Sequence, residues 1–280
     1  MGMANTIVKG SAGMDSSTDS ATKTGFNERL DLAVQESGSM VCVGLDPRPD
    51  RTPGSYADFC RRIIDETWRH AVAFKPNIAY FEARGGEGLT ELGTLMQHLP
   101  DGRLMVVDAK RGDIGFTAEA YAQALFGRLG ADAITANAYL GQDSMSPFLA
   151  DPSRGAFILC HTSNPGAGDF QHLDVGGHPL YIEVARRASE WNENNNVGLV
   201  VGATYPEELE RVRDAAPRLP FLVPGIGAQG GDLEASVRAG RNADGRGLLI
   251  SSSRGIIYAG DPGEASARLN DAINAARAKG

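Results

Sequence analysis

The stretch LMVVDAKRGDIGFT, Leu104–Thr117, runs four apolar residues straight into two aspartates, a lysine and an arginine. A strand buried on both faces reads as a short, continuous apolar run. Charge gathered at its C-terminal end is either a solvated turn or a place where chemistry is done. The same pattern recurs along the chain, in MVCVGLD (Met40–Asp46), AVAFKPN (Ala71–Asn77), DAITAN (Asp132–Asn137) and AFILC (Ala156–Cys160). It continues in VGLVVGA (Val197–Ala203), PFLVPGI (Pro220–Ile226) and GLLISSS (Gly247–Ser253).

Between these runs lie helical periods. Phe59, Ile63 and Ile64 share one face, as do Leu89, Leu92, Leu95 and Met96. Helices are also expected over Thr117–Leu129, Tyr181–Trp191, Pro206–Val212, Asp232–Ala239 and Pro262–Ala276, with a short piece at Ser144–Leu149. Eight strands, each followed by something helical, predict an α/β fold, a (β/α)8 TIM barrel, over an open doubly wound sheet. No linker-like break divides residues 25–280, which are read as one domain. Residues 1–24 are rich in Ser, Thr, Gly and Ala without period; they are expected to form a disordered extension whose opening Met-Gly-Met is a non-native leader or a misplaced start.

The net charge of -8 argues against nucleic acid or an anionic membrane as partner, although a local basic pocket can still hold a small anion. No apolar run approaches the roughly 18 residues of a membrane span, and the N-terminus lacks a signal peptide's apolar core. Cys42, Cys60 and Cys160 are widely spaced and read as small buried hydrophobes. A reducing cytoplasm is the expected compartment.

In a barrel, catalytic groups belong at the C-terminal ends of the strands. Asp46, Lys75, Asp108, Lys110, Asn137, His161, Gln229 and Arg254 all fall there. Strand alternation points Asp108 and Lys110 the same way and leaves Ala109 for an outer helix. Lys75 closes the adjacent strand, while Asp113 sits in the following loop, able to reach its own pocket or a neighbouring subunit's. One buried Lys–Asp pair would read as structural. Two lysines and two aspartates at one mouth read as function, because buried ion pairs often fail to recover their desolvation cost.

GIGAQGG contains a formal GxGxxG at Gly225, Gly227 and Gly230, but on the seventh strand rather than the first. Barrels commonly bind phosphate with the loops after strands seven and eight, and Arg254 can fork onto its oxygens. His161–Pro179 is long and Gly-rich, as expected of a lid. His161 and His172 invite a metal reading, but no third ligand has convincing spacing and no metal is expected.

The motif DAKRGDIG resembles the signature of the orotidine 5'-monophosphate decarboxylase family, in its longer bacterial, type 2 subgroup. GLDPRP, FKPN, TSNPGA, PGIGAQGGD and SSSRGI are similar to that family in the same order, from Phe26 to the C-terminus. The resemblance implies a TIM barrel that converts orotidine 5'-monophosphate to uridine 5'-monophosphate and CO2 in de novo pyrimidine biosynthesis, without a cofactor. It implies a homodimer with shared sites, in which Lys75, Asp108, Lys110 and the partner chain's copy of Asp113 form the catalytic array. Asp46 would meet the ribose, Thr117 would reach the ligand across the dimer, Ser163 would meet the pyrimidine, and Gln229 and Arg254 would clamp the phosphate. Such chemistry leaves an electron pair on C6 with no sink, so an adjacent cation, Lys110, is the expected stabiliser and proton donor. Two alternatives remain. A related barrel that decarboxylates a sugar-phosphate keto acid would want a metal and is disfavoured by TSNPGA; a non-catalytic nucleotide-binding barrel is disfavoured by the intact charge array.

Overall fold

The computed structural model describes residues 24–203, 205–225 and 232–279. The expected extension at residues 1–24 therefore lies almost wholly outside the described residues. Eight parallel strands close on themselves in sequence order: β1 (Val41–Leu45), β2 (Ala73–Pro76), β3 (Leu104–Arg111), β4 (Ala133–Ala136), β5 (Gly155–His161), β6 (Val197–Val201), β7 (Phe221–Pro224) and β8 (Leu248–Ser252). The ring is sealed by β8 on β1, where Val41 pairs with Ile250 and Val43 with Ser252. Each strand lies inside the run expected for it, to within a residue or two. Closure removes every sheet edge, so the open-sheet alternative falls.

The surrounding helices are α1 (Phe26–Ser37), α2 (Tyr56–Thr67), α3 (Ile78–Glu82), α4 (Gly85–Leu95), α5 (Gly115–Ala122), α6 (Gln142–Leu149), α7 (Leu180–Glu190), α8 (Pro206–Ala215), α9 (Leu233–Gly240), α10 (Arg254–Ile257) and α11 (Pro262–Ala278). Their starts are written locally. Ser55, Asp232 and Asp261 each accept a backbone N–H three residues on, and Pro262 follows its cap at the first helical position. On α2 the residues Cys60, Ile63, Ile64 and Thr67 are buried, which is the face that periodicity assigns to the barrel. The helix expected over Thr117–Leu129 is instead divided: α5 passes into a wider π-helical turn at Gln123–Arg128, with Gly127 inside it.

Helix α1 has no counterpart among the expected helices, although Phe26, Leu30, Ala33 and Val34 are its buried face at helical spacing. It closes the end of the barrel opposite the charged rim. The Phe26 ring fills the space that a Cβ on Gly155 would occupy, 2.2 Å from its Cδ1, and meets Phe157 edge-on at 5.9 Å. Arg29 pairs with Asp132 at 3.0 Å and Asp31 with Arg246 at 2.7 Å, tying the helix to both sides of the ring. Phe26 is fully buried, so Phe26→Ala is expected to cost about 3–5 kcal/mol of unfolding free energy. Denaturant titration checks this; an unchanged midpoint would show that α1 is dispensable.

Candidate active site

The rim at the C-terminal ends of the strands carries the charges. Asp108, near the end of β3, stands between two ammonium groups. Lys75 Nζ from β2 lies 3.0 Å from its Oδ2, and Lys110 Nζ lies 2.5 Å from its Oδ1. The Thr135 hydroxyl of β4 donates a third contact to Oδ1 at 2.8 Å and accepts the Lys110 backbone N–H at 3.0 Å. The Lys75 and Asp108 side chains are 8% and 11% exposed, whereas Lys110 is 50% exposed. One lysine is thus entombed with the carboxylate and the other reaches it from the open side.

Burial by itself would lower the proton affinity of Lys75, but the Asp108 and Asp46 carboxylates outweigh it and raise it above the ordinary lysine value. Burial likewise pushes Asp108 up; Lys75 and Lys110 outweigh that and hold it well below the usual carboxylate range. Both members of the pair are therefore charged at neutral pH.

Simple strand alternation does not deliver Lys110. Its φ is +48°, a left-handed backbone that non-glycine residues rarely adopt, and the β3–β4 register slips between Val107 and Arg111. The bulge turns the lysine over the mouth while its Nζ still touches Asp108. The loop beyond passes so close to the next strand end that a Cβ on Gly112 would lie 2.3 Å from the Asn137 carbonyl oxygen. Arg111 is occupied elsewhere: it pairs with Glu82 of α3, bonds the Ala109 carbonyl at 2.9 Å and lies over the Tyr121 ring. Charge in this motif is thus divided between the rim array and the scaffold.

The remaining predicted residues are placed as follows. Asp46 follows β1 directly, and its buried Oδ1 accepts no hydrogen bond among the described residues. Arg254 is exposed at the start of α10 and makes no ion pair among the described residues. Ser163 is half-buried at the start of the segment joining β5 to α7. Asp113 and Thr117 are not brought to the array: Asp113 Oδ1 accepts its neighbour's N–H from Ile114 at 2.8 Å, and Thr117 is exposed on α5. Gln229, with Gly227 and Gly230, lies outside the described residues. Thr135 was not predicted; its position in DAITAN, two residues before Asn137, is the only signal the sequence offers. Cavity size does not locate the site, since a cleft of about 940 Å³ lined by Pro49, Tyr56, Tyr80 and Arg84 includes none of the array.

Residues 39–269 match the family described as Orotidine 5'-phosphate decarboxylase / HUMPS family. The chain belongs to this family. It is 52% identical over 246 residues to orotidine 5'-phosphate decarboxylase of Dechloromonas aromatica, covering 84% of this chain and 90% of the relative. The enzyme of the same name from Azoarcus sp. is 50% identical over 270 residues, covering 90% and 99%. Among solved structures, Leishmania donovani OMP decarboxylase superposes with a TM-score of 0.86 at 49% identity, over 91% of this chain and 99% of that one. Leishmania donovani UMP synthase gives 0.87 at 50% identity, and the present chain spans 57% of that longer protein. The family barrel and the one seen here thus agree along nearly the whole chain.

The ionic array has a consequence for pH. Because the folded value of Asp108 is depressed, its contribution to stability is complete above the unfolded value of about 3.9 and is lost as pH falls through the lower folded one. The raised value of Lys75 acts in the opposite sense, complete below about 10.4 and lost as pH rises through the higher folded one. A carbon-13 titration of the Asp108 side-chain carboxyl is therefore expected to show no inflection between about pH 4 and 9. An inflection inside that window would mean that the pair is not ionic.

Proposed function

We propose that this chain decarboxylates orotidine 5'-monophosphate to uridine 5'-monophosphate in pyrimidine nucleotide biosynthesis, using Lys75, Asp108, Lys110 and a partner chain's copy of Asp113. The observation that carries the reading is the carboxylate of Asp108 clamped by two ammonium groups on a barrel rim, in a chain about half identical to decarboxylases over most of its length. That likeness also disfavours the sugar-phosphate keto-acid and non-catalytic alternatives.

The chemistry follows from the charges. As the bond from C6 to the carboxylate breaks, CO2 leaves and the electron pair stays on C6. Lys110, the open-side lysine, is the cation that meets this developing charge; it then gives a proton from Nζ to C6 and is reprotonated from solvent. Asp108 holds that ammonium in place and opposes the substrate carboxylate beside it, favouring the transition state over the bound substrate. An ionic contact at 4 Å is worth about 1 kcal/mol in water and about 4 at an effective dielectric of 20. Closing residues 162–179 over the ring, with Ser163 on the pyrimidine edge, supplies that gain by excluding water. The orphaned Oδ1 of Asp46 fits a ribose hydroxyl donor, because a buried acceptor without a partner is costly. Arg254, which has no ion pair among the described residues, fits the phosphate, together with Gln229.

The assembly we propose is a homodimer. Asp113 sits in a loop flanked by large exposed apolar residues, Ile114, Phe116, Tyr139 and Leu140, with Phe116 87% and Tyr139 83% exposed. A rim of this kind around a carboxylate held only by its own loop suits a second copy that places Asp113 and Thr117 over its neighbour's array. No helix among the described residues is long and apolar enough to cross a membrane. The three cysteines are free and buried, which suits the reducing cytoplasm we propose as its compartment.

Lys110→Ala is expected to lower turnover of orotidine 5'-monophosphate by at least about a hundredfold with an unchanged circular dichroism spectrum. Near-normal turnover in a folded variant would overturn the proton-donor assignment. Arg254→Ala should raise KM and also lower kcat, since binding energy from the phosphate is spent at the reacting carbon; a change in KM alone would contradict that coupling. Mixing Lys110→Ala with Asp113→Ala chains should restore about a quarter of wild-type activity once subunits exchange, because half the dimers are mixed and each then holds one intact site. Exchange without recovery would refute shared sites.

A further inference from the structure

Outside the array, one cluster has no part in the reaction. His161, the last residue of β5, faces His172 of the lid segment with their Nε2 atoms 3.0 Å apart. Glu208, in the first turn of α8, brings Oε2 to 3.5 Å from His161 Nε2 and Oε1 to 3.7 Å from His172 Nε2. Taking one ligand atom from each residue, the three lie within 4.8 Å of one another. A tetrahedral ion bound at 2.0–2.1 Å sets its ligands about 3.3 Å apart. The separations of 3.0 Å between the imidazoles and 3.5 Å from His161 to the nearer carboxylate oxygen lie on either side of that value, and the second carboxylate oxygen faces His172 at 3.7 Å.

We propose that His161, His172 and Glu208 form a binding site for a divalent transition-metal cation, best matched by Zn2+, with the fourth position open to water. Two imidazoles and one carboxylate are a donor set suited to this ion. The hydrogen bonding within the cluster is incomplete without it. A single proton serves the two facing nitrogens, and both carboxylate contacts are too long for good hydrogen bonds. Glu208 Oε2 is buried and has no hydrogen-bond partner among the described residues. On binding, the ring that donates from Nε2 gives that proton to solvent and takes one up on Nδ1, so that both imidazoles stay neutral with Nε2 facing the ion.

The site is held ready by its neighbours. The Gln171 side chain accepts the Thr162 N–H and donates to the Thr162 hydroxyl, both at 2.8 Å, which fixes the returning limb of the lid beside its origin. The Tyr181 ring packs against both imidazoles, at 4.8 and 5.7 Å between centroids. An ion there would join β5, the lid and α8, clamping the limb opposite Ser163 to the barrel. Its role is to order the lid, and it does not depend on which reaction the array performs.

The test uses the full chain, stripped with a chelator, dialysed and titrated with Zn2+ alone, with Co2+ as a spectroscopic substitute. One tight equivalent per chain is expected, with the intense visible bands of tetrahedral Co2+. Losing even an outer partner of a metal ligand costs about 10–100-fold in affinity, so His172→Ala and Glu208→Gln should each weaken binding by at least that much. His172 is 43% exposed and tolerates truncation, which keeps a folded variant in hand if the Glu208 change disturbs α8. Zn2+ should also slow hydrogen exchange of the amides of residues 162–173 in the wild type but not in His172→Ala. No stoichiometric binding, or binding unchanged by both substitutions, would overturn the site and leave an ordinary histidine–histidine hydrogen bond.

Discussion

The contact on which the rest depends is a carboxylate held by two ammonium groups, Asp108 between Lys75 and Lys110. Taking Lys75 and Asp108 out of water is expensive, and a packed apolar pair of equal size would serve stability as well or better. The chain keeps the ions and adds the Thr135 hydroxyl to satisfy the same carboxylate oxygen. The left-handed backbone at Lys110 is a second cost borne at the same place. Expense concentrated on one rim is the physical sign that the rim is for chemistry.

The barrel supplies what such an array requires. Neighbouring parallel strands put Lys75, Asp108 and Thr135 at one level on three adjacent strand ends, and β-sheet pairing fixes their spacing far better than a loop would. At the other end, α1 plugs the ring with Phe26, and the buried guanidinium of Arg213 bonds the carbonyls of Gly240, Ala216, Leu219 and Gly247. That end is built for rigidity. The ionic array and the segments carrying Ser163 and Asp113 are displayed at the rim.

Much of this was legible in the sequence. Each β-strand lies within a residue or two of an apolar run, because strands buried on both faces must be continuous in apolar residues. The charged residues at the ends of β2 and β3 were legible too, since polar groups at those positions have no structural reason to recur. What escaped was set by the third dimension. Thr135 reads as an ordinary strand threonine until β4 lies beside β3. The π-turn at Gln123–Arg128 and the bulge at Lys110 depend on packing rather than on pattern. Glu208 lies 36 residues beyond His172 and joins the histidines only because β6, which leads into α8, lies beside β5 in the barrel. Helix α1 is a different case: Phe26, Leu30, Ala33 and Val34 carried the periodicity, and its terminal position hid it.

The central claim is that this site stabilises negative charge at C6 of a pyrimidine nucleotide by ionic means. It is tested most directly by comparing dissociation constants of uridine 5'-monophosphate and of an analogue bearing a formal negative charge at the C6 position, in the wild type and in Lys110→Ala. The account predicts that the anionic analogue binds more tightly by at least about a hundredfold, as transition-state mimics do, and that the advantage collapses in the variant. Equal affinities in the wild type, or a preference that survives the loss of Lys110, would contradict it.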